Sequence, residues 1–228
     1  MSLLDEITVI CPRCGLSKHV GVFRSINATN DPNLKQLLLE GRLNWQTCES
    51  CGNGFQLIAD LLYHDIPKTF MVSLDDPARD VRQLSTRKEL TPFVRDYVLR
   101  IVGSHAQFVE KIRILEDGLD DTAVELLKLT ALTSATRALG GLRRGAIFYN
   151  GHSSSKLNFL VRDEHGVILS ETEIPFPDAY AQSQKQLASR GHRPTTGEWL
   201  TINIDHVIAL WFRRPAGLPA SPMSMYWT

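Results

Sequence analysis

The chain has 228 residues, of which 43% are hydrophobic and 22% are charged, a composition typical of soluble globular proteins. Its 25 basic residues equal its 25 acidic residues, so no overall charge attracts it to nucleic acid or to an anionic membrane. No segment approaches the roughly 18 apolar residues of a membrane span, and the N-terminus does not resemble a signal peptide, so we expect a cytoplasmic protein without a membrane segment.

Residues 5–75 are predicted to form a β-rich module that contains all four cysteines of the chain. The cysteines form two pairs, Cys11 with Cys14 and Cys48 with Cys51, each with two intervening residues and a following glycine. Thiolate is a soft ligand that suits Zn²⁺, and four thiolates complete a closed tetrahedral shell. We therefore predict a structural zinc site of the zinc-ribbon type, with no open position for water or a substrate.

Three other uses of the cysteines compete with structural zinc. A disulfide framework needs an oxidising compartment, and a thioredoxin-like redox motif is a single pair that precedes a helix. An iron–sulfur cluster also takes four cysteines, although its spacings are usually more compact. These comparisons favour structural zinc over the other three uses.

Between the two cysteine pairs, the sequence predicts a helix over residues 31–40. Asp31 is a typical N-cap residue, Pro32 suits the first helical position, and Gly41 suits the end of the helix. Strands are predicted to enter and leave each cysteine pair, and one more strand is predicted over residues 68–74. The helix is therefore an insertion between the two halves of a zinc ribbon.

Residues 76–140 are predicted to be helical. The first helix begins at Thr91-Pro92 and runs to Val102, because apolar side chains recur there at helical spacing. A second helix covers residues 105–116. A third helix begins at Asp120-Asp121, where aspartate is suited to capping the helix start.

Residues 145–212 are predicted to form a C-terminal β-rich region. Its strands fall at residues 146–149, 156–162, 167–170 and 199–203. Asp205 is expected to cap a short final helix that ends at Trp211, and residues 213–228 form a proline-rich tail. The predicted fold class is therefore α+β: a four-cysteine zinc-ribbon-like β module with a helical insertion, then a helical segment and a C-terminal β-rich part.

The first cysteine pair reads Cys11-Pro12-Arg13-Cys14, the motif that names the CpXC family of bacteria and archaea, and the chain resembles that family. Further matches are Ser25-Ile26-Asn27, Asp31-Pro32, Leu62-Tyr63-His64-Asp65, Glu110–Ile114, Gly118–Asp121 and Glu125–Lys128. The second pair departs from the motif because Glu49 replaces the proline, which leaves the ligands intact since proline only stiffens the turn. The resemblance implies a zinc-binding domain over about residues 7–130 and no particular activity.

Tyr63, His64 and Asp65 form the one compact polar triplet that resembles a functional site. A histidine beside an aspartate could perform acid–base chemistry, because histidine titrates near neutral pH. On a strand, however, neighbouring side chains point to opposite faces, so His64 and Asp65 would not share a pocket. The favoured interpretation is a strand end at which Asp65 accepts hydrogen bonds from amides of the following turn.

Several other residues have both a functional and a structural interpretation. Glu116, Asp120 and Asp121 could form an acidic metal site, but helix capping is favoured for the aspartates. Two basic groups could contact phosphate, although solvated loops are favoured: they are Arg137 with Arg143 and Arg144, and Arg190 with His192 and Arg193. Three tryptophans are expected in the core: Trp45, Trp199 and Trp211.

The proline-rich tail ends in methionine and aromatic residues: Met223, Met225, Tyr226 and Trp227. Such side chains are common at contact surfaces, so the tail could dock on a partner or on a second copy of the chain. A disordered end is the alternative, because chain termini are usually poorly ordered.

The sequence contains no P-loop, nucleophile elbow, dinucleotide fingerprint or zinc-protease motif. The leading hypothesis is therefore a non-catalytic, zinc-stabilised protein that acts through a protein partner or as a homo-oligomer. The second hypothesis is nucleic-acid binding through the ribbon, for which Arg13, Lys18 and Arg24 supply little positive charge. The third is an enzyme that uses His64 or His152.

Overall fold

The computed structural model describes residues 2–57, 59–75, 93–138 and 145–211, and predictions about other residues lie outside the described chain. The chain divides into two compact units: residues 1–109 with 196–200 form unit 1, and residues 110–195 with 201–228 form unit 2. The described part contains five helices and three sheets, with the cysteines in the N-terminal β region. The predicted α+β class is confirmed.

Strands and helices follow one another along the described chain in this order: β1 (Leu3–Ile10), β2 (Ser17–Asn27), α1 (Pro32–Leu39), β3 (Trp45–Thr47), β4 (Gly54–Gln56), β5 (Leu61–Asp65), β6 (Phe70–Leu74), β7 (Val98–Val102), α2 (His105–Glu116), α3 (Asp121–Ala138), β8 (Ala146–His152), β9 (Lys156–Arg162), β10 (Ile168–Pro175), α4 (Asp178–Ser189), β11 (Trp199–Leu200) and α5 (Ile204–Trp211).

Unit 1 is built on a six-stranded mixed sheet with the strand order β1-β2-β5-β6-β7-β11. The pairs β1–β2 and β5–β6 are antiparallel, whereas β2–β5, β6–β7 and β7–β11 are parallel. Strands β3 and β4 form a separate antiparallel hairpin. The strands predicted before and after each cysteine pair are therefore present, and each pair lies at the turn of a hairpin.

The predicted helical insertion is confirmed as α1. Pro32 is its first residue, and Gly41 follows its end with a φ of +71°, a conformation that glycine adopts without strain. Asp31 stands at the N-cap position, but its side chain makes no capping hydrogen bond. Its carboxylate instead accepts a hydrogen bond from the Ser2 hydroxyl at 2.5 Å, which ties the chain before β1 to the start of the helix.

The helix predicted from Thr91-Pro92 to Val102 is wrong over all of its described residues, because residues 93–97 form turns and bends and the rest form a strand. Thr91 and Pro92 lie outside the described residues, and Val98–Val102 form β7, which is parallel to β6. Phe93, which the prediction placed on the apolar face, is 81% exposed. A short, mostly apolar segment suits a buried parallel strand as well as a helix face, and only its pairing with β6 decides between them.

The other two helices of the predicted helical segment are confirmed as α2 and α3. Gly118 follows α2 with a φ of +70°, as expected for a helix end. Asp120 caps α3, because its carboxylate accepts a hydrogen bond from the amide of Thr122 at 2.9 Å. Capping is wrong for Asp121, whose buried carboxylate pairs with Lys111 at 3.1 Å.

Unit 2 contains a three-stranded antiparallel sheet with the order β10-β9-β8. Apolar side chains of the sheet pack against side chains of α3, and this core removes their apolar surface from water. The sheet contributes Ile147, Tyr149, Leu157, Phe159, Val161 and Ile174, and α3 contributes Val124, Leu127, Ala131 and Ala135.

The C-terminal region also contains a helix that the sequence pattern did not predict, α4. Its buried side chains are Ser183 and Leu187, so its apolar periodicity was too weak to indicate a helix. The strand predicted at 199–203 is shortened to the two residues of β11. Asn203 rather than Asp205 caps α5, because the Asn203 side chain accepts a hydrogen bond from the amide of His206 at 2.9 Å.

Candidate metal centre

Both cysteine pairs stand in tight turns with matching hydrogen bonds. Between β1 and β2, the amide of Cys11 donates to the carbonyl of Leu16 at 2.9 Å, and the amide of Gly15 donates to the carbonyl of Cys11 at 3.0 Å. Between β3 and β4, the amides of Cys48 and Gly52 make the corresponding bonds at 2.9 and 2.8 Å. Gly15 and Gly52 have φ angles of +74° and +67°, which explains why glycine follows each pair.

The two turns bring the four sulfur atoms together. All four Sγ atoms lie within 4.8 Å of one another, with Cys11 and Cys51 at 3.7 Å and Cys14 and Cys48 at 3.6 Å. Sulfur atoms in a disulfide are about 2.0 Å apart, and all four cysteines of this chain are free thiols. A tetrahedron with metal–sulfur distances of about 2.3 Å has sulfur–sulfur edges of about 3.8 Å. The cluster can therefore hold a metal ion.

Backbone amides in the turns stabilise thiolate charge. The amide of Cys14 lowers the pKa of the Cys11 thiol to about 6, and the amide of Cys51 lowers the pKa of Cys48. The amide of Asn53 lowers the pKa of Cys51, but burial and the neighbouring cysteines outweigh it and raise that pKa to about 12. A metal ion that binds all four sulfur atoms must therefore displace protons, and its charge offsets the repulsion between thiolates.

Contacts beside the cysteines hold the second hairpin against the first. The Lys18 ammonium lies 2.6 Å from the Glu49 carboxylate, which joins the two turns. Asn44, just before β3, accepts a hydrogen bond from the amide of Phe23 at 2.8 Å and donates one to the same residue's carbonyl at 3.1 Å. Its φ of +59° is a conformation that asparagine tolerates better than most residues. Both cysteine pairs are thus positioned by the protein itself.

Trp45 does not lie in the core as predicted. It is 52% exposed, and its ring lies over Gly54 on the facing strand. A Cβ atom at Gly54 would lie 2.6 Å from the ring, so glycine is required for this packing. Trp199 and Trp211 are half-buried.

The structure does not bring the predicted polar triplet into one pocket. Tyr63 and Asp65 are buried, and Asp65 accepts a hydrogen bond from the amide of Lys68 at 3.0 Å, in the turn after β5. His64, between them, is half-buried, and its Nε2 lies 3.4 Å from the hydroxyl of Tyr97. Burial lowers the pKa of His64. This arrangement agrees with the strand-end interpretation, and a functional role for the triplet stays a prediction.

A buried cluster of charged side chains in unit 2 was not foreseen from the sequence. It consists of Glu110 and Lys111 from α2 with Asp121, Glu125 and Lys128 from α3, all buried. Lys111 Nζ lies 3.1 Å from Asp121 and 3.3 Å from Glu125. Lys128 Nζ lies 2.9 Å from Glu110 and 3.0 Å from Glu125. Each ammonium group is therefore shared by two carboxylates, and Glu125 joins the two halves of the cluster.

The charged cluster also binds two backbone groups. Lys111 donates a hydrogen bond to the carbonyl of Ile202 at 2.8 Å, and Glu110 accepts one from the amide of Tyr149 at 2.6 Å. Burial raises the pKa of Glu110. Burial alone would lower the pKa of Lys128, but the carboxylates of Glu110 and Glu125 raise it above its ordinary value. The same helical spacing of acids and lysines is typical of an exposed helix face, so the sequence could not indicate burial.

The remaining sequence-predicted site residues are dispersed. Among the described residues, the four cysteines are the only group of three or more potential metal ligands, so Glu116 and the two aspartates form no acidic metal site. Arg190 stacks on the ring of Trp211 at 3.8 Å, and His192 Nε2 lies 3.6 Å from Asp120. The following lie outside the described residues: Arg143, Arg144, Met223, Met225, Tyr226 and Trp227.

None of the helices in the described part of the chain has the length and apolar character needed to cross a membrane.

Comparisons with known proteins agree with the cysteine geometry. The family model described as CpXC protein matches residues 9–128, more than half of the chain, and this range includes all four cysteines. No curated protein and no solved structure gives a significant match. The chain therefore belongs to the CpXC protein family, and its four-cysteine cluster is one that can hold a metal ion.

Proposed function

We propose that this protein is non-catalytic and acts through contacts with other proteins. A structural Zn²⁺ ion stabilises its N-terminal β region and is bound by four cysteines: Cys11, Cys14, Cys48 and Cys51. The observation that carries the proposal is the set of four free thiols from two hairpin turns, all within 4.8 Å of one another.

The donor set favours zinc. Four sulfur ligands in a roughly tetrahedral arrangement suit Zn²⁺ or iron–sulfur chemistry, whereas calcium and magnesium require oxygen ligands. The separations of 3.6 and 3.7 Å are close to the edge of about 3.8 Å expected around a single zinc ion. A multinuclear iron–sulfur cluster would need space for its own sulfides between the ligands.

The closed shell supports a structural rather than a catalytic role. Four thiolates leave no coordination position for water, so the bound ion could not activate a nucleophile. The ion would instead connect the turn between β1 and β2 with the turn between β3 and β4. Strands β3 and β4 have three residues each, so their hairpin has little core of its own.

Ion pairs around the ribbon reduce the support for nucleic-acid binding. Lys18 is paired with Glu49 at 2.6 Å, and Arg24 lies 3.5 Å from Asp5. These acids compete with phosphate for two of the cations on which a nucleic-acid interface would depend. Protein contacts are favoured because large apolar side chains are exposed in the same unit: Leu3, Leu4, Ile10, Leu16 and Trp45.

Metal analysis tests the proposed ion. The full chain is purified without added metal or chelator, and zinc and iron are measured on the same sample by plasma mass spectrometry. We expect about one zinc per chain and no iron. Stoichiometric iron with visible absorption, or a metal-free chain that is fully stable, would contradict the proposal.

Partner capture tests the proposed mode of action. The metal-loaded chain and a Trp45→Ala variant are used as baits, with salt-dependent binding of a labelled duplex measured in parallel. A protein recovered in constant ratio by the native chain and lost with Trp45→Ala supports the proposal. Tight, salt-dependent duplex binding without a protein partner would favour the nucleic-acid alternative.

A further inference from the structure

Strand β1 lies at one edge of the six-stranded sheet of unit 1. It pairs with β2 on one side, and no other described strand pairs with its opposite side. Its register with β2 is regular from Leu4 to Ile10, with one irregularity between Leu3 and Leu4. Proteins usually protect such an edge with charged side chains, proline, a bulge or a covering segment. This regular stretch contains neither proline nor a bulge, and its charged residues are the two acids Asp5 and Glu6.

The bonds to β2 determine which backbone groups of β1 point outward. The amide of Cys11 bonds to the carbonyl of Leu16, and the register continues without a break through Val9 and Ile7. Because bonded and non-bonded pairs alternate in an antiparallel ladder, the odd-numbered residues of β1 bond to β2. The amides and carbonyls that point to the outer side, where no described strand pairs with β1, are those of the even-numbered residues: Leu4, Glu6, Thr8 and Ile10.

We propose that β1 pairs antiparallel with β1 of a second copy of this chain, so that two six-stranded sheets become one continuous sheet. This inference deepens the proposed function and rests on it, because it names a second copy as one protein partner.

Symmetry and hydrogen bonding select the register of this pair. In a two-fold antiparallel pair, the outward-facing residues must lie opposite one another, so even-numbered residues face even-numbered residues. With Ile7 opposite Ile7 of the second copy, Leu4 faces Ile10 and Glu6 faces Thr8. This register is centred on the middle of the regular segment and therefore pairs all of it.

The neighbouring registers are less favourable. A shift by two residues in one direction places Glu6 opposite Glu6 of the second copy, and like charges directly opposite each other are destabilising. A shift in the other direction places Glu6 opposite Ile10 and leaves Leu4 without a facing residue. The charges and apolar side chains of β1 thus favour the register centred on Ile7.

Side-chain exposure supports the same register. Leu4 is 54% exposed and Ile10 is 69% exposed, at the two ends of the regular segment. In the proposed pair each covers the other, which removes apolar surface from water at both ends. The least favourable pair is Asp5 opposite Val9. The guanidinium group of Arg24 lies 3.5 Å from the Asp5 carboxylate and compensates its charge.

The contact is small, so its strength depends on concentration. Two paired edge strands bury less than the roughly 1,200–2,000 Å² of a stable interface. Such an association responds measurably to single side chains at its centre.

Two charge substitutions at Thr8 test the pairing and control for each other. Thr8→Lys places an ammonium group opposite Glu6 of the second copy, whereas Thr8→Glu places a carboxylate there. Both lose the hydrogen bond between Thr8 and His19, 3.1 Å long, so they share any effect on the β1–β2 pair. In sedimentation velocity with the metal-loaded full chain, we expect the dimer dissociation constant to fall roughly threefold to tenfold for Thr8→Lys and to rise by a similar factor for Thr8→Glu.

A rescue variant makes the test specific to the register. Adding Glu6→Lys to Thr8→Glu restores opposite charges across the edge and is expected to recover dimerisation. A chain that stays monomeric at every concentration up to the millimolar range would overturn the proposal, and so would equal dissociation constants for the two Thr8 variants. Either result would leave the zinc content and the capture of other proteins unchanged, so it would be distinguishable from a failure of the proposed function.

Discussion

Four thiolates within one small volume repel one another, so each cysteine depends on the donors around it. Amides of the turns lower the pKa values of Cys11 and Cys48, while the neighbouring sulfur atoms help to raise that of Cys51. A dication relieves this repulsion, and its binding free energy becomes part of the folding free energy. At the scale of residues, the stability of this β region therefore depends on the charge carried by four sulfur atoms.

Replacing one ligand should therefore remove the metal and destabilise the ribbon. For Cys11→Ser we expect a loss of bound zinc and a destabilisation of several kcal/mol, since zinc contributes on the order of 10 kcal/mol in small modules. The measurements are metal content and thermal unfolding. Ser50→Ala is the control, because it alters an exposed side chain in the second turn and keeps every ligand. Equal metal content and equal melting temperature for Cys11→Ser would contradict the assignment.

His64 should make the protein less stable in mild acid. Burial lowers its folded-state pKa below the ordinary value of 6.5, against the opposing charge of Asp65. A group of this kind contributes its full stability above its unfolded pKa, and stability is lost as the pH falls through 6.5 towards the folded pKa. Between pH 7.5 and pH 5.5, roughly spanning the titration of histidine, the native chain should lose more stability than His64→Gln.

Urea unfolding at the two pH values measures this difference, and effects of pH on metal binding are common to both chains. His165→Gln, at an exposed histidine, serves as the control. If His64→Gln and the native chain lose equal stability on acidification, the burial of His64 does not have the expected effect.

At the scale of elements, α2 and α3 are joined by both apolar and charged contacts. The five buried charges lie on two helices adjacent in sequence, and two of them also bind backbone groups at Tyr149 and Ile202. Buried ion pairs add little net stability compared with apolar packing, but they penalise any arrangement that separates the partners. The cluster therefore specifies one pairing of these helices.

Removing one cation from this cluster should be costly. Lys128→Met leaves Glu110 and Glu125 without their shared ammonium group, and we expect a loss of about 3–5 kcal/mol in urea unfolding. Lys156→Met is the control: it breaks the exposed pair with Glu173 and should cost less than about 1 kcal/mol.

A second substitution separates charge from packing. Adding Glu110→Gln to Lys128→Met removes a carboxylate that the first change left uncompensated, so part of the lost stability should return. If the double variant is no more stable than Lys128→Met, packing and not charge compensation determines the loss.

At the scale of the whole molecule, the four-cysteine cluster and the buried cluster of charges belong to different units. All four cysteines lie in unit 1, and all five buried charges of the cluster lie in unit 2. Each unit also has its own sheet. Loss of the metal should therefore act first on the part of the chain that supplies its ligands.

Hydrogen exchange with and without a zinc chelator tests this expectation. On chelation, amides in β1–β4 should exchange faster, because the link between the two hairpins is lost. Amides in α3 and β8–β10 should keep their protection, since their core contains no ligand residue. Faster exchange in α3 that equals the change in β1 would contradict a local role for the metal.

Local signals in the sequence predicted a large part of this molecule. The cysteine spacing and the glycine after each pair predicted the turns that bring the sulfur atoms together. Asp31-Pro32 and Gly41 predicted the inserted helix, and its bounds agree closely with α1. Each of these features depends on residues only a few positions apart, for which spacing and backbone conformation are decisive.

The features that the sequence did not predict depend on residues far apart in the chain. Val98–Val102 is a strand because β6 and the much later β11 supply its hydrogen bonds.

The sequence by itself thus determined the four cysteines that can hold a metal ion, the hairpin turns that carry them and the inserted helix, because backbone conformation and cysteine spacing act locally. Only the tertiary structure decided which charges are buried and which of the described strands lies at the edge of the sheet. Lys111 and Lys128 look like solvent-exposed helix residues in the sequence, but acids of the facing helix pair with both, and Lys111 also bonds to the carbonyl of Ile202. The physical reason is that burial and strand pairing are set by long-range contacts, which local periodicity does not record.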